Sequence, residues 1–277
     1  MRTALSLALI PCLVMTLLAG RETPPADASA VLAAAREALG GEARLAAVKS
    51  FVATGRTRQV RGNSLVPIEF EVSCELPDKY VRKDEVPAQE SAPTTSGFNG
   101  DRLVQVPGPE AAPPKPGGPG AAAGPTTGPA AAAPDPRTER VAALKQDFVR
   151  LTLGMFATSF PSYPLTFALV GRAEAPQGKA DIVEVRGPGT FLLKLFINSD
   201  THLPIMASWT VPAPKGAAPG TLVEHRLYYA DYREVGNGLR FPFRLRRSVA
   251  GETTEETNFD GFQVNRRIDV RRFEPVK

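Results

Sequence analysis

The side chains that carry most enzyme chemistry are scarce in this chain. Histidine occurs twice, as His202 and His225. His202 follows Asp200 in a turn, and His225 lies in an extended stretch between Glu224 and Arg226. Neither has an HExxH context or an obvious third ligand, so no metal site is expected. The sequence contains no GxSxG elbow and no GxxxxGK[ST] phosphate loop. "RGPGTF" joins two strand-like runs without the helix that would present amides to a phosphate, so it reads as a turn. Carboxylates such as Asp231 and the Glu255–Glu256 pair fit a solvated strand face and define no acid–base couple. In "IEFEVSCEL", Ile68, Phe70, Val72 and Cys74 alternate with polar residues, which reads as a buried thiol rather than a nucleophile. Cys12 falls in the N-terminal apolar run, leaving Cys74 without a disulfide or metal partner. No enzyme activity, cofactor or metal is expected.

The unusual resource is apolar surface on strands. In "TFLLKLFI", Phe191, Leu193, Leu195 and Ile197 form one face, yet Leu192 and Phe196 flank Lys194 on the other. A sheet apolar on both sides needs a cover on each, or an interior cavity on one. Leu203, Ile205, Ala207 and Trp209 share a side of the next strand. In "DYREVGNGLRFPFRLRRS", Leu239, Phe241, Phe243 and Leu245 alternate with Arg240, Pro242, Arg244 and Arg246. Two arrangements account for this: a tight core beneath helices, or a greasy pocket. On the pocket reading the candidate wall is Phe191, Leu193, Trp209, Leu239, Phe241, Phe243 and Leu245. The three arginines fall on the outer, solvated face.

The elements that must position these residues follow from periodicity. Arg2, the apolar run Ala4 to Gly20 and the small-residue site Ala26-Asp27-Ala28 describe a secretory signal peptide over 1–28, or an uncleaved anchor. "LLAG" is followed by Arg21 where a lipoprotein signal has cysteine, which disfavours lipidation. The remainder, 29–277, is expected to form one exported, periplasmic domain. Ser29 to Leu39 reads as a helix ending at Gly40-Gly41, with a short second helix after it. Strand-like runs begin at Ser50. They are interrupted over 107–136 by a Pro-, Gly- and Ala-rich segment too poor in large apolar residues to fold, read as a disordered insertion.

Asp135-Pro136 supplies an N-cap and a first-turn proline. Val141, Leu144, Phe148, Leu151 and Met155 then form an apolar stripe. Such a stripe packs on a sheet or plugs the mouth of a cavity, which makes Phe148, Leu151 and Met155 lid candidates. Seven further strands follow, several joined by tight turns at Asn198-Ser199-Asp200, Gly236-Asn237-Gly238 and Ala250-Gly251-Glu252. About ten antiparallel strands in all would curl. The expected fold is α+β: a strongly curved, unclosed barrel with a few helices covering its concave face. A net charge of +4, with basic and acidic residues interspersed, gives no support for nucleic-acid binding.

Three stretches carry a resemblance: "REALGGEARLAAVKSFVATGR", the "DYREVGNGLRFPFRLRRS" hairpin and the ending "NFDGFQVNRRIDVRRFEP". With "GFNGDRLVQV" they resemble exported bacterial proteins of the LolA/LolB-like superfamily, most specifically through Phe262, Asn265, Ile268, Asp269 and Phe273. The resemblance implies an unclosed barrel around a hydrophobic cavity. It also implies a lipid or acyl-chain ligand shielded in the periplasm, with a transient envelope protein or membrane surface as partner. The insertion departs from the dedicated lipoprotein carriers, and their functional arginine and membrane-inserting loop have no assignable position here. The expectation is a non-enzymatic carrier or binding protein. The alternative is an envelope structural or interaction module of the same fold with a packed core.

Overall fold

The computed structural model describes residues 26–87, 92–106, 135–175, 178–214 and 216–274. The apolar N-terminal run and residues 107–134 of the predicted insertion lie outside the described residues. Asp135 and Pro136, the last two residues assigned to that insertion, belong to a helix start instead. Ala26 and Asp27, assigned to the leader, form a two-residue strand, and Ala28 behind them is fully buried.

In chain order the elements are β1 (Ala26–Asp27), α1 (Ser29–Ala38), α2 (Glu42–Ala46), β2 (Ser50–Arg61), β3 (Ser64–Glu75), β4 (Lys79–Glu85), β5 (Thr94–Asn99), β6 (Arg102–Val106), α3 (Pro136–Phe156), β7 (Thr166–Ala175), β8 (Gly178–Arg186), β9 (Leu192–Asn198), β10 (Pro204–Pro212), β11 (Leu222–Glu234), β12 (Arg240–Val249) and β13 (Glu252–Val264). A single 3-10 turn, Val270–Phe273, follows. The strands form one sheet of 13, in the order β1-β7-β8-β9-β10-β11-β12-β13-β2-β3-β4-β5-β6. Every neighbouring pair is antiparallel. β6 ends one edge, and β7 with its short cap β1 ends the other, so the barrel does not close. Register shifts near Leu169, Pro204, Arg247 and Phe259 are bulges, which bend a strand and deepen curvature.

The count exceeds the expected ten by β1, β5 and β6. β5 and β6 are short, and "PTTSG" has the composition of a loop; their hairpin turns at Gly100, whose φ of 59° suits glycine. β1 has no local signal at all, since only its pairing with β7 makes it a strand.

α3 closes the concave side. Asp135 caps it by accepting from the Arg137 amide at 3.0 Å, and Ala157 ends it in a left-handed conformation. It packs on β5 and β6 near one edge and on β10 and β12 across the sheet. Gly154 permits a close crossing, because a Cβ there would fall 2.4 Å from the Tyr229 ring. The Tyr229 hydroxyl donates to the Arg150 carbonyl at 2.5 Å. The main core lies between α1, α3 and the concave face, and includes Leu32, Leu39, Phe51, Phe98, Leu153 and Phe241.

The C-terminal stretch occupies the opposite face. Ile268 and Phe273 cover Val52, Val81 and Val104 there, forming a second, smaller core on the convex side. Asn265, at φ 55°, accepts from the Lys49 amide at 2.7 Å and donates to the Ala47 carbonyl at 3.0 Å. Asp269 caps the final turn through the Arg271 amide. Of the residues of the ending singled out in the sequence, Asn265, Ile268, Asp269 and Phe273 therefore fasten this stretch across the start of β2, whereas Phe262 packs in the main core.

Candidate functional site

The concave face is divided into a packed part and an open part. Alternation along β9, β10 and β12 directs Phe191, Leu193, Trp209, Leu239, Phe241 and Phe243 inward, and all six are buried. Phe241 is enclosed by Phe51, Phe156 and Phe262. Phe191 lies edge-on to Tyr163. Phe243 contacts Phe262 on one side and the Arg233 guanidinium on the other. Phe148 and Met155 of α3 are buried with them, Phe148 in a cluster with Tyr80, Phe98 and Phe160. In β10 the bulge at Ile205 breaks the expected face, so that Pro204 rather than Ile205 is buried beside Ala207 and Trp209.

Arg150 seals this packed part. Its guanidinium lies 4.2 Å from the Trp209 ring centroid and 5.3 Å from that of Phe191. It donates to Asp147 at 2.9 Å and Gln146 at 3.2 Å, while its buried Nε finds no acceptor among the described residues. Burial pulls its pKa below arginine's ordinary value, opposed by Asp147. His225 stacks on Trp209 with ring centroids 5.5 Å apart. Partial burial, then the charges of Arg150 and Arg247, lower its pKa and favour the neutral imidazole.

Leu151 and Leu245 differ from the other candidates. They border a cavity of about 460 Å³ between α3 and the strands from β11 to β13 and from β2 to β5. Its apolar lining comes from Ile68, Phe70 and Val72 of β3, Tyr80 of β4, Leu144 and Leu151 of α3, Leu227, Leu245 and Phe259. Pairing explains this convergence. Leu245 lies opposite Thr257, Thr257 opposite Thr57, and Thr57 opposite Ile68, giving one transverse row across β12, β13, β2 and β3. Burial pushes the Tyr80 phenol up to about 12, so it is un-ionised at neutral pH.

A polar chain runs through this lining. The hydroxyls of Thr57 and Thr257 share a hydrogen bond of 2.9 Å. Arg82 donates to Thr57 at 3.0 Å and to Asp84 at 2.7 Å, with its guanidinium over the Phe70 ring. Arg247 reaches Asp147 of α3 at 3.5 Å and Glu255 at 3.9 Å. Arg61 and Arg140 complete the rim. The arrangement is a trough of mixed lining, in which apolar side chains alternate with a comparable share of polar and charged ones. It holds no acid, base and nucleophile in mutual contact, and no group of three or more metal-ligating side chains occurs among the described residues.

Most of this lining was not among the sequence-derived wall. Its signal was present in "IEFEVSCEL", where Ile68, Phe70 and Val72 alternate on the face that also buries Cys74. Arg247 was signalled too: it continues the alternation of Leu239, Phe241, Phe243 and Leu245, and its pairing with Glu255 precedes the register shift at Ser248. Arg240, Arg244 and Arg246 are exposed on the outer face, as the alternation predicts.

No family model and no curated protein matches the sequence. Solved structures do. Over 90% of its length the chain is similar to a LolA superfamily protein from Nitrosomonas europaea, covering 97% of that chain with a TM-score of 0.53 at 13% identity. Over 89% it is similar to a domain from Vibrio parahaemolyticus described as outer membrane lipoprotein-sorting, covering 97% of that chain with a TM-score of 0.51 at 10% identity. At such identities the likeness is one of fold, and the fold is LolA-like.

Proposed function

We propose that this chain is an exported, non-enzymatic binding or carrier protein of the bacterial envelope, holding the apolar part of a lipid in the cavity under α3. The observation that carries this reading is the 460 Å³ space lined by Phe70, Leu144, Leu151, Leu227, Leu245 and Phe259. Its volume falls within the range of small-molecule pockets, about 300–1,000 Å³. Keeping an acyl chain in water costs about 0.8 kcal/mol per methylene, so a trough of this lining is a favourable refuge. The fold shared with the Vibrio lipoprotein-sorting domain supports the same class of role. The leader-like N-terminus supports export.

The packed half of the concave face sets a limit on the site. Phe191, Leu193, Trp209, Leu239, Phe241 and Phe243 act as its structural backing unless α3 moves away, while Leu245 and Leu151 stand in the wall itself. The test is displacement of a fluorescent fatty acid from the full-length protein and from Leu144→Trp, which fills the trough from the half-buried α3 face. Saturable binding that the tryptophan abolishes, with the melting transition preserved, supports the reading. Binding that is equal in both proteins refutes this cavity as the site.

A further inference from the structure

The rim of the cavity contains four arginines, Arg61, Arg82, Arg140 and Arg247, against three carboxylates, Asp84, Asp147 and Glu255. Their hydrogen bonding is unequal. Arg82 is committed to Asp84 and Thr57. Asp84 is therefore occupied, and Asp147 is occupied by Arg150 at 2.9 Å. Three guanidinium groups remain with donors to spare. Arg247 is half-buried and makes only the loose ion-pair contacts of 3.5 and 3.9 Å, with no side-chain hydrogen bond among the described residues. Among the described residues Arg61 donates only to Gln59, at 2.8 Å. Arg140, on the second turn of α3, has no charged partner among the described residues.

These three sit at one end of the trough. Arg247 is opposite Glu255, which is opposite Gln59, and Arg61 follows two residues along β2 on the same face. Two strand steps place the Arg247 and Gln59 backbones about 10 Å apart, a gap that long side chains span from both sides. Arg140 approaches from α3, seven residues before Asp147 and so about 10 Å along the helix from the Asp147–Arg247 contact. The apolar residues Phe70, Val72 and Phe259 lie further along the strands, away from the β2–β3 turn.

We propose that the ligand is an anionic amphiphile, its phosphate or carboxylate head held by Arg61, Arg140 and Arg247 and its chain lying on Phe70, Leu227 and Phe259. This rests on the carrier reading and adds the head-group chemistry to it. A guanidinium presents a planar fork that matches carboxylate and phosphate oxygens, and charge-assisted bonds of this type are about twice as strong as neutral ones. Of the three carboxylates, Asp84 and Asp147 are already taken by arginines, which leaves a cationic head only Glu255, itself accepting from Thr257 at 3.3 Å.

The experiment is calorimetric titration of the full-length protein with three ligands of equal chain length: dodecyl phosphate, 1-dodecanoylglycerol and dodecyltrimethylammonium. Dodecyl phosphate is expected to bind about tenfold more tightly than the glyceride. The R61Q/R140Q/R247Q variant is expected to remove that preference, bringing dodecyl phosphate and the glyceride to equal affinity. If the triple variant does not fold, R61Q/R140Q, on exposed side chains alone, is expected to reduce the preference about threefold. Equal binding of the phosphate and the glyceride, a preference for the ammonium, or a preference that survives the substitutions overturns the head-group assignment and leaves the carrier reading standing. Binding of none of the three overturns both.

Discussion

Gly154 is the residue on which the approach of α3 depends. A methyl group there would meet the Tyr229 ring at 2.4 Å and must push the helix or the ring aside. Gly154→Ala is therefore expected to destabilise the protein by about 1–3 kcal/mol in chemical unfolding, as overpacked cores do. Unchanged stability would mean that α3 does not lie this close. Tyr229→Phe, which removes the donor to the Arg150 carbonyl, is expected to cost about 1 kcal/mol in the same measurement. His225 gives a pH dependence whose sign follows from its lowered pKa. The unfolded chain binds a proton near pH 6.5 and the folded chain resists it, so the stabilising term is full above pH 6.5 and is lost below it. The groups acting on it are Arg150 and Arg247, which oppose protonation, and Asp147, which favours it. Melting temperature is expected to fall from pH 7 to pH 5, and His225→Gln to flatten that fall. A slope unchanged in the variant would assign the titration elsewhere.

At the level of elements, α3 does two things along its length. Phe148, Leu153 and Met155 are core, whereas Leu144 and Leu151 face the open trough. Substitutions should separate these roles. Phe241→Ala, in the packed half, is expected to lose about 3–5 kcal/mol of stability. Leu144→Trp is expected to leave stability near wild type and to block ligand uptake. A reversal of the two outcomes would place the ligand space in the other half of the concave face. Much of this element pattern was legible in the sequence. The Asp135-Pro136 start, the stripe on α3 and the hairpin turns at Gly236-Asn237-Gly238 and Ala250-Gly251 are local signals, and the structure has them. β1 and the β5–β6 hairpin were not legible, because pairing rather than composition makes them strands. The site divides in the same way. Alternation identifies which residues face inward, as for Phe191, Trp209 and Phe241, but cannot say which inward residues α3 covers. That depends on where a helix 21 residues long crosses a curved sheet.

At the scale of the molecule, the described residues form an unclosed sheet of 13 strands whose concavity is larger than their three helices fill. α1, through Leu32 and Ala35, and the C-terminal half of α3, through Phe148 and Phe156, close one part, and the remainder stays as the trough beside β3, β12 and β13. The convex face is fastened separately by Ile268 and Phe273, which pack with Val52, Val81 and Val104 in the second core. The resemblance read from the ending "NFDGFQVNRRIDVRRFEP" agrees with the LolA-like fold, even though Asn265, Ile268, Asp269 and Phe273 brace that stretch, Phe262 packs in the main core, and none of them lines the cavity. The central claim is that the trough holds a lipid. Native mass spectrometry of the protein, gently purified from its own envelope, tests it most directly. The account predicts a bound species of lipid mass that organic extraction removes and that Leu144→Trp lacks. A wild-type protein that is always recovered at its bare mass, with the fold intact, would contradict it.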